Sequence, residues 1–126
     1  MILDSTFLID LMANDAAAVA KLEELVADRE PLAVSALTVT EVGTGLREES
    51  ARDAFDDVLA DVTVVAFDRD AARRAARIQR RLEADGQRIG AVDAMIAATA
   101  LERDDGVVTR NVSEFRRVDG VRVAPY

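Results

Sequence analysis

The pattern of apolar and polar positions along the chain predicts short strands that alternate with helices. The apolar run 1–4 predicts a first strand that ends in Asp4. Residues 15–27 carry apolar side chains at helical spacing, at Val19, Leu22 and Val26. Residues 32–34 predict a second strand, and Ser35 is placed to cap a helix that runs to about Arg47.

The second half of the chain continues this alternation. A helix is predicted over 51–60, and the β-branched run 62–65 predicts a third strand. Asp68 is placed to cap a long helix that reaches about Ala84, and Gly86 ends it. Residues 91–102 predict a helix that is apolar almost all round. Two further strands are predicted at 107–108 and 121–123, the last one at the edge of the sheet.

Strands that alternate with helices imply a three-layer α/β fold, with a mostly parallel central sheet and helices on both of its faces. The length of 126 residues predicts a single domain over 1–126. In open sheets of this kind, ligands bind beyond the carboxyl ends of the strands. Asp4 is expected there.

Composition narrows the chemistry that the chain can perform. Cysteine and histidine are both absent, which excludes disulfides, thiolate or imidazole metal sites, and Ser-His-Asp catalysis. No run approaches the roughly 20 apolar residues of a membrane span, and no leader pattern precedes Asp4. We therefore expect a soluble, cytoplasmic protein that works with carboxylates, hydroxyls, amides and guanidinium groups.

The chain is strongly acidic, with a formal net charge of -8, and Lys21 is its only lysine. This balance argues against nucleic-acid binding by a uniformly basic surface. A composition rich in Asp, Glu, Ala and Val is typical of proteins from extreme halophiles. In molar salt the Debye length falls to about 3 Å, so an acidic surface would repel a distant RNA much less.

Three acidic residues are expected at the mouth of the sheet. Asp93 lies in an apolar helix, where a carboxylate is costly unless a cation or hydrogen-bond donors compensate it; the alternative is an interaction with the amides of the helix N-terminus. Glu41 shares a helix face with Thr38 and Gly45, and Gly43 and Gly45 suggest close packing or access for a ligand. The alternatives are a solvated Glu41 and, for Asp4, a helix N-cap. Ligands that are all oxygen suit Mg²⁺ or Mn²⁺.

Four segments, in this order, resemble a known family. They are Ile2-Leu3-Asp4-Ser5-Thr6, Thr38-Val39-Thr40-Glu41-Val42-Gly43-Thr44-Gly45, Ile89-Gly90-Ala91-Val92-Asp93-Ala94-Met95-Ile96-Ala97-Ala98-Thr99-Ala100, and Val108-Thr109-Arg110-Asn111-Val112-Ser113-Glu114-Phe115. This pattern is similar to the PIN-domain ribonucleases of the VapC toxin type. The block that starts at Asp93 is its most specific part.

The resemblance implies that Asp4, Glu41 and Asp93 bind one or two Mg²⁺ ions, with Mn²⁺ as a substitute. It also implies a fourth acidic group after the last core strand. Two residues are candidates for this position: Glu114, and Asn111, which stands where some relatives carry Asp and would offer a neutral oxygen. Ser5 and Thr109 are expected to hydrogen-bond a carboxylate or a water at the ion. Either hydroxyl could equally be a helix cap.

The absence of histidine leaves metal-assisted hydrolysis as the expected mechanism, giving 5′-phosphate and 3′-hydroxyl ends. RNA phosphates would be contacted locally by arginines, with Arg73, Arg77 and Arg110 as the candidates. The resemblance further implies a homodimer and an inhibitory VapB antitoxin partner. Three alternatives stay open: a PIN-type RNA-processing nuclease without a toxin role, a metal phosphohydrolase of small phosphate esters, and a degenerate domain that binds RNA or a protein without cleaving it.

Overall fold

Five short strands and seven helices alternate along the chain in the computed structural model, which describes residues 1–126. The strands are β1 (Ile2–Leu3), β2 (Ala33–Ser35), β3 (Thr63–Val65), β4 (Gly106–Val108) and β5 (Arg122–Ala124). The helices are α1 (Ser5–Met12), α2 (Ala16–Ala27), α3 (Ala36–Gly45), α4 (Glu49–Ala60), α5 (Arg69–Ala84), α6 (Ala91–Glu102) and α7 (Val112–Phe115).

The strands form one parallel sheet in the order β3-β2-β1-β4-β5. Every neighbouring pair is parallel, and β1 pairs with β2 on one side and with β4 on the other. The chain therefore leaves β1 toward one edge and later returns to build the other edge. The gap between the ends of β1 and β4 is where such sheets place a ligand.

Alternating side chains of the central strands supply two separate cores, because successive residues of a strand point to opposite faces. Ile2 and Val107 pack with residues of α5, α6 and α7 on one face. Leu3 and Val108 pack with residues of α1 to α4 on the other face. The predicted three-layer arrangement is confirmed.

Several boundaries follow from local signals that the sequence carries. The Ser35 hydroxyl accepts a hydrogen bond from Leu37 N at 3.1 Å, and the Asp68 carboxylate accepts one from Ala71 N at 2.9 Å. Both are N-caps, as predicted. Gly86 adopts a φ of 67° after α5, a conformation that glycine tolerates best.

Other boundaries and faces differ from the prediction. Helix α3 ends at Gly45, before Arg47, whereas α4 begins at Glu49, two residues earlier than expected. In α2 the buried residues are Ala18 and Leu25, while Val26 is 60% exposed, so the predicted apolar stripe was displaced by one position. None of the helices is both long and apolar enough to cross a membrane.

Candidate active site

Asp4 immediately follows β1 and lies at the carboxyl edge of the sheet, at the gap between β1 and β4. It is only 2% exposed. It occupies the N-cap position of α1, but its side chain makes no capping hydrogen bond, so the cap interpretation is wrong. Burial is the largest influence on this carboxyl and raises the pKa of Asp4 above its ordinary value.

Two threonine hydroxyls point at the same oxygen of Asp4. Thr109 Oγ1, at the end of β4, donates to Asp4 Oδ2 at 2.8 Å, and Thr6 Oγ1 donates to it at 3.2 Å. The Thr109 contact was expected. The second hydroxyl belongs to Thr6, not to Ser5. The motif Asp4-Ser5-Thr6 contained this residue, but the direction of each side chain in the first turn of α1 decides which one reaches Asp4.

Backbone amides hold the two threonines in place. Arg110 N–H donates to Thr6 Oγ1 at 3.1 Å, and Asn111 N–H donates to Thr109 Oγ1 at 2.9 Å. Each hydroxyl therefore accepts from the loop after β4 while it faces Asp4. The loop and Asp4 are fixed relative to each other.

Asp93 lies in the first turn of α6 and faces the loop after β4. Asn111 Nδ2 donates to Asp93 Oδ2 at 2.7 Å and to Glu114 Oε2 at 3.1 Å. Both candidates for the fourth position thus lie at Asp93. The helix N-terminus alone does not explain Asp93, since its side-chain donor comes from another element.

The carboxylates perturb one another. Burial, followed by the hydrogen bond with Glu114 and the nearby charge of Asp4, raises the pKa of Asp93 to about 7. The hydrogen bond from Asp93, with help from Asn111, lowers the pKa of Glu114. Below about pH 7 this pair therefore holds one proton, on Asp93, because a half-buried site does not readily hold two adjacent negative charges.

Glu41 lies on the exposed side of α3 and faces the same cleft. Its negative charge contributes to the raised pKa of both Asp4 and Asp93. A Cβ added at Gly43 or Gly45 would meet nothing within 4 Å, so close packing does not explain these glycines. Gly45 and Glu41 instead line an open, mainly apolar pocket of about 230 Å³ together with Ile9.

The four carboxylates lack a basic partner. None of the ion pairs in the structure includes Asp4, Glu41, Asp93 or Glu114. No three acidic side chains stand close enough to hold a metal ion as they are placed. The donor set nevertheless fits a hard divalent cation, because several carboxylate oxygens face one cleft and none of them is neutralised by an ion pair.

Arg110 is engaged within the chain, and its expected contact with RNA phosphates stays a prediction. Its guanidinium pairs with Asp10 and with Asp15, each at 3.1 Å, and lies 4.8 Å from the centre of the Tyr126 ring. Tyr126 also donates its hydroxyl to Asp10 at 2.7 Å. The sequence held no local signal for this cluster, because its members are far apart along the chain.

Arg73 and Arg77 lie exposed on α5, and neither is in an ion pair. Their contact with RNA phosphate stays a prediction.

Comparison with known proteins gives consistent matches over nearly the whole chain. A family model described as PIN domain matches residues 1–121. Ribonuclease VapC19 of Mycobacterium tuberculosis is 33% identical over 114 residues, which cover 90% of each protein. The tRNA(fMet)-specific endonuclease VapC of Salmonella typhimurium is 29% identical over 96 residues, or 73% of each protein.

Solved structures show the same fold. DNA-bound VapBC from Salmonella typhimurium contains a chain that superposes with a TM-score of 0.88 at 26% identity, covering 98% of this chain and 96% of that one. A chain of VapBC2 from Rickettsia felis, bound to a promoter DNA fragment, gives a TM-score of 0.89 at 22% identity over 99% and 97% of the two chains.

Proposed function

This chain belongs to the PIN-domain family, and from that membership we propose that it is a metal-dependent endoribonuclease and the toxin of a VapBC-type toxin–antitoxin pair. The observation that supports the proposal is that Asp4, Glu41, Asp93 and Glu114 act on one another across one cleft and are in no ion pair. RNA is the substrate class, since the relatives it matches are named ribonucleases and endonucleases.

The proposed ligands of the ion are Asp4, Glu41 and Asp93, with Glu114 as the fourth acidic group. When bound, a divalent cation supplies positive charge that activates water and stabilises the leaving oxygen of a phosphodiester. Mg²⁺ is the proposed ion, with Mn²⁺ able to replace it, because both take carboxylate oxygens. Asn111 is a neutral donor that keeps Asp93 and Glu114 together.

The remaining polar residues orient these ligands. Thr109 and Thr6 donate to one oxygen of Asp4, which leaves Asp4 Oδ1 as the oxygen without a hydroxyl donor. We assign Thr109 and Thr6 the role of fixing Asp4, a role that the sequence suggested for Thr109 and Ser5. Burial of Asp4 limits the access of bulk water to this carboxylate and strengthens its electrostatic interactions.

The activity is tested by incubating the purified chain with end-labelled RNA in Mg²⁺, in Mn²⁺ or in EDTA. The proposal expects cleavage with either ion, none in EDTA, and products with 5′-phosphate and 3′-hydroxyl ends. Cleavage that persists in EDTA, or cyclic-phosphate ends, would contradict it. Release of inorganic phosphate from small esters without RNA cleavage would favour the phosphohydrolase alternative.

The toxin role has its own test. The matching solved structures include a toxin-antitoxin complex from Klebsiella pneumoniae and VapBC-5 of Mycobacterium tuberculosis, which supports a VapB-like partner and an oligomeric assembly for this chain. A homodimer stays a prediction. Expression of the chain alone should arrest growth, and co-expression of a small neighbouring gene product should relieve the arrest. Continued growth despite active nuclease would instead support an RNA-processing role. Adaptation to high salt stays a prediction from composition.

A further inference from the structure

Arginines are concentrated on one side of this acidic chain. The segment 69–88 contains seven arginines and three acidic residues, whereas the chain as a whole carries a net charge of -8. Three arginines of this segment and two arginines that follow α7 line a cavity of about 470 Å³. We call this cavity the arginine groove and define it by Arg74, Arg77, Arg81, Arg116 and Arg117.

The groove has a basic rim and an apolar floor. Its floor includes Ile78 and Leu101, which are both partly exposed, while Asp85 and Asp119 are the acidic residues at its wall. Arg81 pairs with Asp119 at 3.1 Å. Arg77 and Arg116 are in no ion pair, so their guanidinium groups are available to an anion.

The groove adjoins the carboxylate cleft through α7. Arg117 N–H donates to the Glu114 carbonyl at 3.1 Å, and its guanidinium donates to the Arg88 carbonyl at 3.2 Å. Arg88 lies two residues before Gly90, the N-cap of the helix that carries Asp93. The groove and the carboxylate cleft therefore meet at the segment 114–117, which contributes Glu114 to the cleft and two arginines to the groove.

We propose that the arginine groove is a substrate subsite that holds the RNA strand beside the cleaved phosphodiester. Arg77 and Arg116 bind backbone phosphates there, because a planar guanidinium binds phosphate oxygens in pairs. The cavity has the size of a small-molecule site and can admit a single unpaired nucleotide, whose base would cover the apolar floor. This inference rests on the proposed ribonuclease function, and it explains how an acidic protein can retain RNA.

The test measures RNA binding without cleavage, by fluorescence anisotropy of a labelled single-stranded oligoribonucleotide in EDTA. The double variant Arg77→Glu/Arg116→Glu is compared with Arg29→Glu/Arg47→Glu, which makes the same change in net charge at exposed positions outside the groove. We expect the groove variant to raise the Kd at least about tenfold and to reduce the slope of log Kd against log salt by about two. The control should change the Kd less than about threefold.

Equal losses in the two double variants would overturn the subsite, since net charge alone would then explain binding. Unchanged binding by the groove variant would overturn it as well. Neither result affects the proposed activity, which is measured separately as metal-dependent cleavage of RNA by the unmodified chain. If that chain binds RNA through the groove but never cleaves it, the nuclease proposal fails and the groove remains an RNA-binding site without a catalytic role.

Discussion

The side-chain amide of Asn111 donates to Asp93 Oδ2 at 2.7 Å and joins the loop after β4 to the start of α6. The same nitrogen donates to Glu114 Oε2 at 3.1 Å. One neutral amide thus lies between two carboxyls and donates hydrogen bonds to both of them, where a bound cation would contact them directly. This contact keeps the cleft assembled in the protein without metal.

Asn111→Asp should shift the balance between stability and metal binding. The change removes both N–H donors and adds a negative charge beside Asp93 and Glu114, so the metal-free protein should lose about 1–2 kcal/mol of unfolding free energy. Mn²⁺ affinity should rise, because another oxygen ligand becomes charged. Urea denaturation and calorimetric titration measure the two effects. A variant that loses stability and also binds Mn²⁺ more weakly would contradict this account of Asn111.

Asp93→Asn should stabilise the metal-free protein at pH 8. The pKa of Asp93 is raised to about 7, so at pH 8 its carboxylate is largely charged and is repelled by its neighbours. The neutral amide removes this repulsion and should add about 1 kcal/mol, a figure reduced for solvent screening because Asp93 is only half-buried. The gain should be smaller at pH 5, where Asp93 is protonated in the folded state but still ionised in the unfolded state, and should vanish only below about pH 4. Equal stabilisation at both pH values would contradict the raised pKa.

Thr109→Val and Thr38→Val should have opposite consequences, although both threonines are fully buried. The first change removes the donor to Asp4 and the acceptor of Asn111 N–H, and should cost about 1–3 kcal/mol. Thr38 Oγ1 has no hydrogen-bond partner, so the second change should be neutral or stabilising. Thr109→Ser should retain most of the stability. Urea denaturation measures the free energy of unfolding of the three variants. Equal losses of unfolding free energy in the two valine variants would refute the assigned role of Thr109.

Tyr126 provides a pH prediction that is read by spectroscopy, because it is the only tyrosine and the chain has no tryptophan. Burial and the hydrogen bond to Asp10 raise the pKa of Tyr126 from 10.0 to about 12. The folded state thus retains this proton where the unfolded state loses it. The stabilisation is fully present below pH 10 and is lost as the pH rises toward 12.

Ultraviolet titration should therefore show ionisation of Tyr126 near pH 12 in the folded chain and near pH 10 in the chain unfolded by urea. Asp10→Asn removes a charge that opposes ionisation and should lower the folded-state value. A folded-state midpoint at pH 10 would contradict the contact between Tyr126 and Asp10.

The sequence was sufficient for the elements with strong local signals. The capping residues Ser35 and Asp68 predicted where their helices begin. The position of Asp4 at the end of the first strand predicted that it lies at the carboxyl edge of the sheet. The directions of Thr6 and Ser5 depend on the exact turn after β1, which periodicity does not resolve. The pairing of Arg110 with Asp10 and Asp15 depends on tertiary contacts across the chain, so the sequence did not predict it.

The most direct test of the carboxylate mechanism is the rate of RNA cleavage by Asp93→Asn in Mg²⁺, measured on a protein that urea denaturation shows to be folded. If Asp93 helps to hold the ion, the rate should fall at least about a hundredfold at low Mg²⁺, and calorimetric titration should show weaker Mn²⁺ binding. A folded variant that cleaves RNA and binds Mn²⁺ like the unmodified chain would contradict the assignment of the cleft as the active site.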